Sequence, residues 1–224
     1  MQGTPEMMRL LFAPRSTFRW ILNHDPNYGV AMTAILAGIT SALRSSILHG
    51  LHPLPGLMGL SPLLDEVIAY GIGPSAGLFL STVTIGLYGA LVGITLIWVG
   101  SFFLMIIGRI FGGVGKYSEV RAALTWAFVP YTWLFPLYMI YMIVNLTLLR
   151  SSSFTYGMIL PWDVGGSLAW LLVFDYLTRA LGFLLLILNL SVALNISVRR
   201  SFLVSVIVVL PPIIYFAPHQ GFGF

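Results

Sequence analysis

Asp175 and Arg179 stand one helical turn apart in an otherwise apolar stretch. Ionisable groups in such a setting are costly, and they mark ion or proton paths unless they neutralise each other. Counting ~1.5 Å per residue back from Arg199 puts Arg179 about 30 Å away, at the opposite interface of a bilayer. There it can snorkel outward with Asp175 as its partner, so a structural pair is the expected reading and gating or proton coupling the alternative. Arg44 falls at the outer end of the first apolar stretch and is expected to snorkel there, with pairing to Asp175 across helices as the other option. His49, His52, Asp65 and Glu66 form the one constellation with zinc-type ligand chemistry. The His-x-x-His spacing is flanked by Pro53 and no helix guarantees convergence, so these read as solvated loop residues, and no metal or other cofactor is expected.

The run Gly112-Gly113-Val114-Gly115-Lys116 has the glycine content of a phosphate cradle. It departs from a P-loop because residue 110 is Ile, Tyr117 replaces Ser/Thr, and no strand precedes it. The glycines are expected to permit a tight turn, with Lys116 placed to hold a lipid phosphate or a partner's carboxylate. Zero cysteines exclude disulfides, thiolate metal sites, a Cys nucleophile and lipidation at Cys. Neither a hydrolase serine elbow nor His-Glu-x-x-His occurs, and the expected function is non-enzymatic.

The elements that position these residues follow from composition. Of the 224 residues 58% are hydrophobic and 8% charged, against roughly 25% charged in a soluble domain. Seven acids and eleven Lys/Arg cannot cover such a surface, so the fold class is all-α, a polytopic membrane helix bundle. Residues 26–43, 67–108, 122–149, 180–198 and 201–224 carry no Lys, Arg, Asp or Glu. A span needs ~20 mostly apolar residues, and five transmembrane helices are predicted at 27–43, 88–108, 122–143, 180–198 and 202–217. Pro130 and Pro136 should kink the third. With five helices, Arg9, Arg15, Arg19, Arg109, Lys116, Arg121, Arg199 and Arg200 share one side, eight of the eleven basic residues. The positive-inside rule makes that side cytoplasmic, with the N-terminus inside and the C-terminus external. The formal net charge of +4 is then explained by a basic face on anionic lipid, without nucleic acid.

Residues 1–26 read as a cytoplasmic segment, residues 27–217 as the membrane domain, and residues 218–224 as an external tail. Within the first, residues 14–22 form an amphipathic helix capped by Ser16 or Thr17, with Phe18, Ile21 and Leu22 on one face and Arg15 and Arg19 beside it. The Pro- and Gly-rich residues 49–87 read as an external surface segment, with a short interfacial helix after Asp65-Glu66. Trp162, Trp170 and Tyr176 suit a second surface element in the headgroup belt. Asn145, Asn189 and Asn195 head glycosylation-type triplets; Asn189, Ser191 and Asn195 are expected to hydrogen-bond between helices instead.

The segment Gly108-Arg109-Ile110-Phe111-Gly112-Gly113-Val114-Gly115-Lys116, followed by a helix with Ala123 and Pro130, resembles the Yip1 family of small five-helix membrane proteins. So do Pro14-Arg15-x-x-Phe18, the Asp25-Pro26 entry to the first helix, and a last helix pair joined tightly at Arg199-Arg200. The chain has Leu87-Tyr88-Gly89 where eukaryotic relatives carry Asp-Leu-Tyr-Gly-Pro, which makes it similar to prokaryotic members. The resemblance implies a role in membrane organisation or trafficking; with the clustering of positive charge on the cytoplasmic face, it leads to the expectation of a scaffold or adaptor acting through Arg15, Arg19, Gly112, Gly113, Gly115, Lys116, Arg199 and Arg200. The partners it implies are membrane lipids, other membrane proteins or a small GTPase, with a homo-oligomer also compatible. It implies the cytoplasmic membrane in a prokaryote and the endoplasmic reticulum or Golgi in a eukaryote. A small transporter or channel subunit built on Asp175 and Arg179 is the alternative function.

Overall fold

The computed structural model describes residues 13–48, 74–151 and 165–216, and among them every regular element is helical. The helices are α1 (Pro14–His24), α2 (Val30–Leu48), α3 (Pro74–Ile110), α4 (Tyr117–Ala127), α5 (Val129–Thr132), α6 (Leu134–Ser151), α7 (Gly165–Ala193) and α8 (Val198–Phe216). Gly86–Ile110 and Trp170–Ala193 are long and apolar enough to cross a membrane, and α4 with the helix beyond Phe128 makes a third span if that bent pair is taken as one. Val30–Arg44 is a shorter apolar helix.

Several boundaries differ from those read in the sequence, each for a local reason. Helix α3 begins at Pro74, so residues 74–87 are helical instead of surface chain. Proline at a first helical position starts a helix, because its missing N–H would have had no partner there. Helix α7 begins at Gly165 and contains Asp175, Arg179, Trp170 and Tyr176, where the sequence reading had a surface element and a span starting at 180. The last loop is Leu194–Ser197, and Arg199 and Arg200 lie in the first turn of α8. That loop is set by Asn195, which adopts φ 54° and is exposed. Asn195 N–H bonds Val192 O at 3.3 Å and Ile196 N–H bonds Ser191 O at 3.1 Å, the paired closing bonds of a Schellman stop. The expected third span is interrupted at Phe128 and at Trp133, two or three residues before Pro130 and Pro136. Both prolines thus fall in the first turn of a new helix.

The described residues divide into two compact units. The first comprises 13–33, 95–130 and 179–216. In it the amphipathic α1 packs on α4, with Phe18 and Ile21 buried and Arg15, Arg19 and Trp20 exposed. Its start is earlier than the Ser16 or Thr17 cap expected: Pro14 opens the helix, and the Ser16 hydroxyl donates to Ala13 O at 3.0 Å. Ser201 Oγ donates to Ile187 O at 2.6 Å and ties α8 to α7. This is the interhelical bond the sequence reading sought at Asn189, Ser191 and Asn195. Ser191 instead bonds Leu188 O of its own helix at 2.7 Å, and the buried Asn189 carboxamide has no partner among the described residues.

The second unit comprises 34–48, 74–94, 131–151 and 165–178. Its core gathers Ala37, Ala42, Leu43, Tyr131, Leu134 and Tyr138. Helices α2 and α3 cross there at backbone contact, since a Cβ on Gly38 would meet Gly93 Cα at 2.8 Å and one on Gly89 would meet Ile39 Cα at 2.9 Å. Small residues at such a crossing gain dispersion contacts between helices that lipid cannot push together by a hydrophobic effect.

Candidate functional site

Two polar arrangements stand out, one in each unit. In the second unit, Asp175 of α7 is wholly buried and accepts from Arg44 Nε of α2 at 2.9 Å and from the Tyr138 hydroxyl of α6 at 3.1 Å. Arg44 is itself 8% exposed. Arg44 thus pairs with Asp175 across helices, the alternative the sequence offered to a snorkelling Arg44. Arg179, one turn beyond Asp175 in α7, is exposed. A carboxylate enclosed with a guanidinium Nε and a phenol on its two oxygens has its charge and its lone pairs answered from three helices. This arrangement fixes the relative placement of α2, α6 and α7.

The first unit contains the glycine-rich loop. Gly112, at φ +83°, ends α3: its N–H bonds Arg109 O at 3.0 Å while Gly113 N–H bonds Gly108 O at 2.9 Å, a second Schellman stop. The two stops are joined, because Val114 N–H donates to Leu194 O at 3.0 Å. Gly115 lies so close to the Ala193 carbonyl that a Cβ would overlap it, and a Cβ on Gly113 would come within 2.9 Å of Gly108 O. Arg200 Nη1 reaches Phe111 O at 3.4 Å, at the end of α3 where cations are favoured. Glu119 reaches back to the Lys116 N–H at 2.9 Å and opens α4. The glycines thus hold one loop against another, and Gly112, Gly113 and Gly115 act through backbone packing. Arg109, Lys116, Arg199 and Arg200 remain exposed around this interlock, as do Val114 and Ile110.

A third cluster escaped the sequence reading. The Arg121 guanidinium lies over the Trp98 ring at 4.8 Å and over the Tyr117 ring at 5.4 Å, and it donates to Asn27 Oδ1 at 2.5 Å. Tyr117 OH donates to Trp98 O at 2.9 Å. Arg121, counted in the sequence among the surface cations, is instead a cation–π clamp between α3, α4 and the turn at Asn27. Its one sequence signal was an arginine near aromatic residues, common enough to carry little weight. Arg15 lines a shallow cavity of about 430 Å³ with Ala13, Pro14, Ser16 and Leu188, where α1 meets α7. His49, His52, Asp65 and Glu66 lie outside the described residues, as do Trp162 and the tail 218–224; among the described residues no group of three His, Cys, Asp or Glu could hold a metal ion.

All-helical architecture, apolar spans and an interlocked glycine loop define a polytopic membrane protein. The family model described as the Yip1 domain matches residues 8–217, and the chain belongs to the Yip1 family. No curated protein and no solved structure matches the chain.

Proposed function

We propose that this Yip1-family protein is a non-enzymatic scaffold or adaptor that binds membrane components at a basic cytoplasmic face. In this reading the chain spans the membrane five times, N-terminus inside and C-terminus outside, and the interlocked loops of the first unit form the working surface. One observation carries the reading. The glycines of the loop and the Glu119 carboxylate are used internally to hold its shape, while Arg109, Lys116 and Arg199 are left exposed around it. A surface whose shape is fixed by backbone contacts and whose side chains are free is suited to recognition, because little ordering entropy is lost on binding. The buried Arg44–Asp175–Tyr138 group supports a structural role, since its side chains are enclosed and bonded to one another.

Lys116→Glu tests the reading. Tagged wild-type protein, purified gently from its native membrane, is expected to carry a near-stoichiometric partner that the variant loses by about tenfold, as for a rim charge reversed at an electrostatically matched surface. An identical set of co-purifying components from both proteins would contradict it.

A further inference from the structure

We infer that the interlocked loops form a headgroup site selective for anionic phospholipid, at the surface bounded by Arg109, Ile110, Val114, Lys116, Arg199 and Arg200. This deepens the scaffold reading and rests on it for the surface, although not for any protein partner.

Depth is the first argument. Two apolar spans, Gly86–Ile110 and Trp170–Ala193, end at this surface, and the bond from Val114 N–H to Leu194 O joins the chain just beyond each end. Two spans terminating together place the loops at the level where hydrocarbon gives way to headgroups. Side-chain chemistry agrees with that level. Val114 and Ile110 are 77% and 74% exposed, and they stand among exposed cations. Apolar tips alternating with Arg and Lys match a boundary that is acyl chain on one side and phosphate on the other.

Charge balance supplies the third argument and selects the headgroup. Within residues 95–130 and 179–216 the one acid is Glu119, whose carboxylate is taken by the Lys116 N–H. Four exposed cations, Arg109, Lys116, Arg199 and Arg200, thus face a single carboxylate in those segments, an excess of positive charge. Arg199 also sits in the first turn of α8, the positive end of that helix's dipole, where a cation is disfavoured unless an anion is near. A phosphodiester with a neutral or anionic headgroup relieves this field; the choline of a zwitterionic lipid brings a cation back to it. The loops hold their shape without the lipid, so the site is ready for whichever lipid the leaflet offers.

The test uses the full-length protein reconstituted in phosphatidylcholine vesicles, with spin-labelled phosphatidylglycerol or spin-labelled phosphatidylcholine as probe. The reading is the fraction of motionally restricted label. Wild type is expected to favour phosphatidylglycerol by roughly two- to fivefold, an effect that shrinks toward parity in ~1 M salt. Lys116→Glu/Arg199→Glu is expected to reach parity at low salt; if its melting temperature shows misfolding, Lys116→Gln/Arg199→Gln is read in its place and should show an intermediate preference. Equal restriction of both lipids by wild type overturns the inference, as does a preference in the folded variant that is undiminished from wild type. Loss of lipid preference with Lys116-dependent partner capture intact would remove the inference and leave the scaffold reading standing. Lipid preference without such capture would do the reverse.

Discussion

Asp175→Ala should destabilise the protein by about 3–5 kcal/mol, the usual cost of removing one member of a buried ion pair. The loss exceeds that of a surface pair because Arg44 is left 8% exposed with its Nε partner gone. Tyr138 loses its acceptor in the same step, which adds an unsatisfied hydroxyl. Replacing the pair together distinguishes a structural lock from a site that needs its charges. Arg44→Met/Asp175→Leu removes both charges at similar volume, and it should recover at least half of the loss, since apolar replacement of a buried pair is often neutral or stabilising. Unfolding in mixed detergent micelles, followed by far-ultraviolet circular dichroism, gives all three values. An Asp175→Ala protein within about 1 kcal/mol of wild type would show that the pair does not hold the helices. Full stability of the double variant with a complete loss of biological activity would return Asp175 to the transport alternative.

Gly93→Leu is expected to be nearly as severe, at about 3 kcal/mol or more, the upper end of overpacking costs. A Cβ on Gly93 would overlap the Ala34 carbonyl and come within 2.8 Å of Gly38 Cα and 2.9 Å of Gly38 N. These are backbone atoms of a helix and cannot swing aside as a side-chain tip would, so α2 and α3 must separate along their crossing. Gly86→Leu is the control on the same helix, because nothing lies within 4 Å of a Cβ placed there. It should stay within about 0.5 kcal/mol of wild type, as surface changes do. Equal midpoints for the two leucine variants in the same detergent titration would mean that the close crossing contributes nothing.

The residues show which parts of this fold a single sequence discloses. The buried face of α1 was legible, since Phe18 and Ile21 recur at helical spacing and both are buried. The likeness to the Yip1 family was legible in the glycine loop and its flanking proline, and the family match over residues 8–217 agrees with it. The extent of α7 is not legible, because Asp175 and Arg179 within it have the local look of a span's end. Asp175 is accommodated within α7 by Arg44, 131 residues away in sequence, a pairing the sequence offers as an option and has no local feature to select. Tyr138 gave no signal for the same reason. The role of the glycines was half legible: turn geometry was expected at Gly112, but the approach of Gly115 to the Ala193 carbonyl requires knowing that two loops far apart in sequence meet. Asn195 was misread as a helix-interior polar group, although asparagine is a frequent left-handed helix stop.

The central claim is that the interlocked loops face the cytoplasm, where a partner or the inner leaflet's anionic lipid can reach them. The chain has no cysteine, so a single Val114→Cys substitution supplies one thiol, at a position 77% exposed in the wild-type protein. Intact cells and opened membranes are treated with a membrane-impermeant maleimide, and labelling is quantified by mass shift. The proposed topology predicts labelling only after the membrane is opened. Labelling of intact cells to the same extent would put the basic face outside and contradict the account.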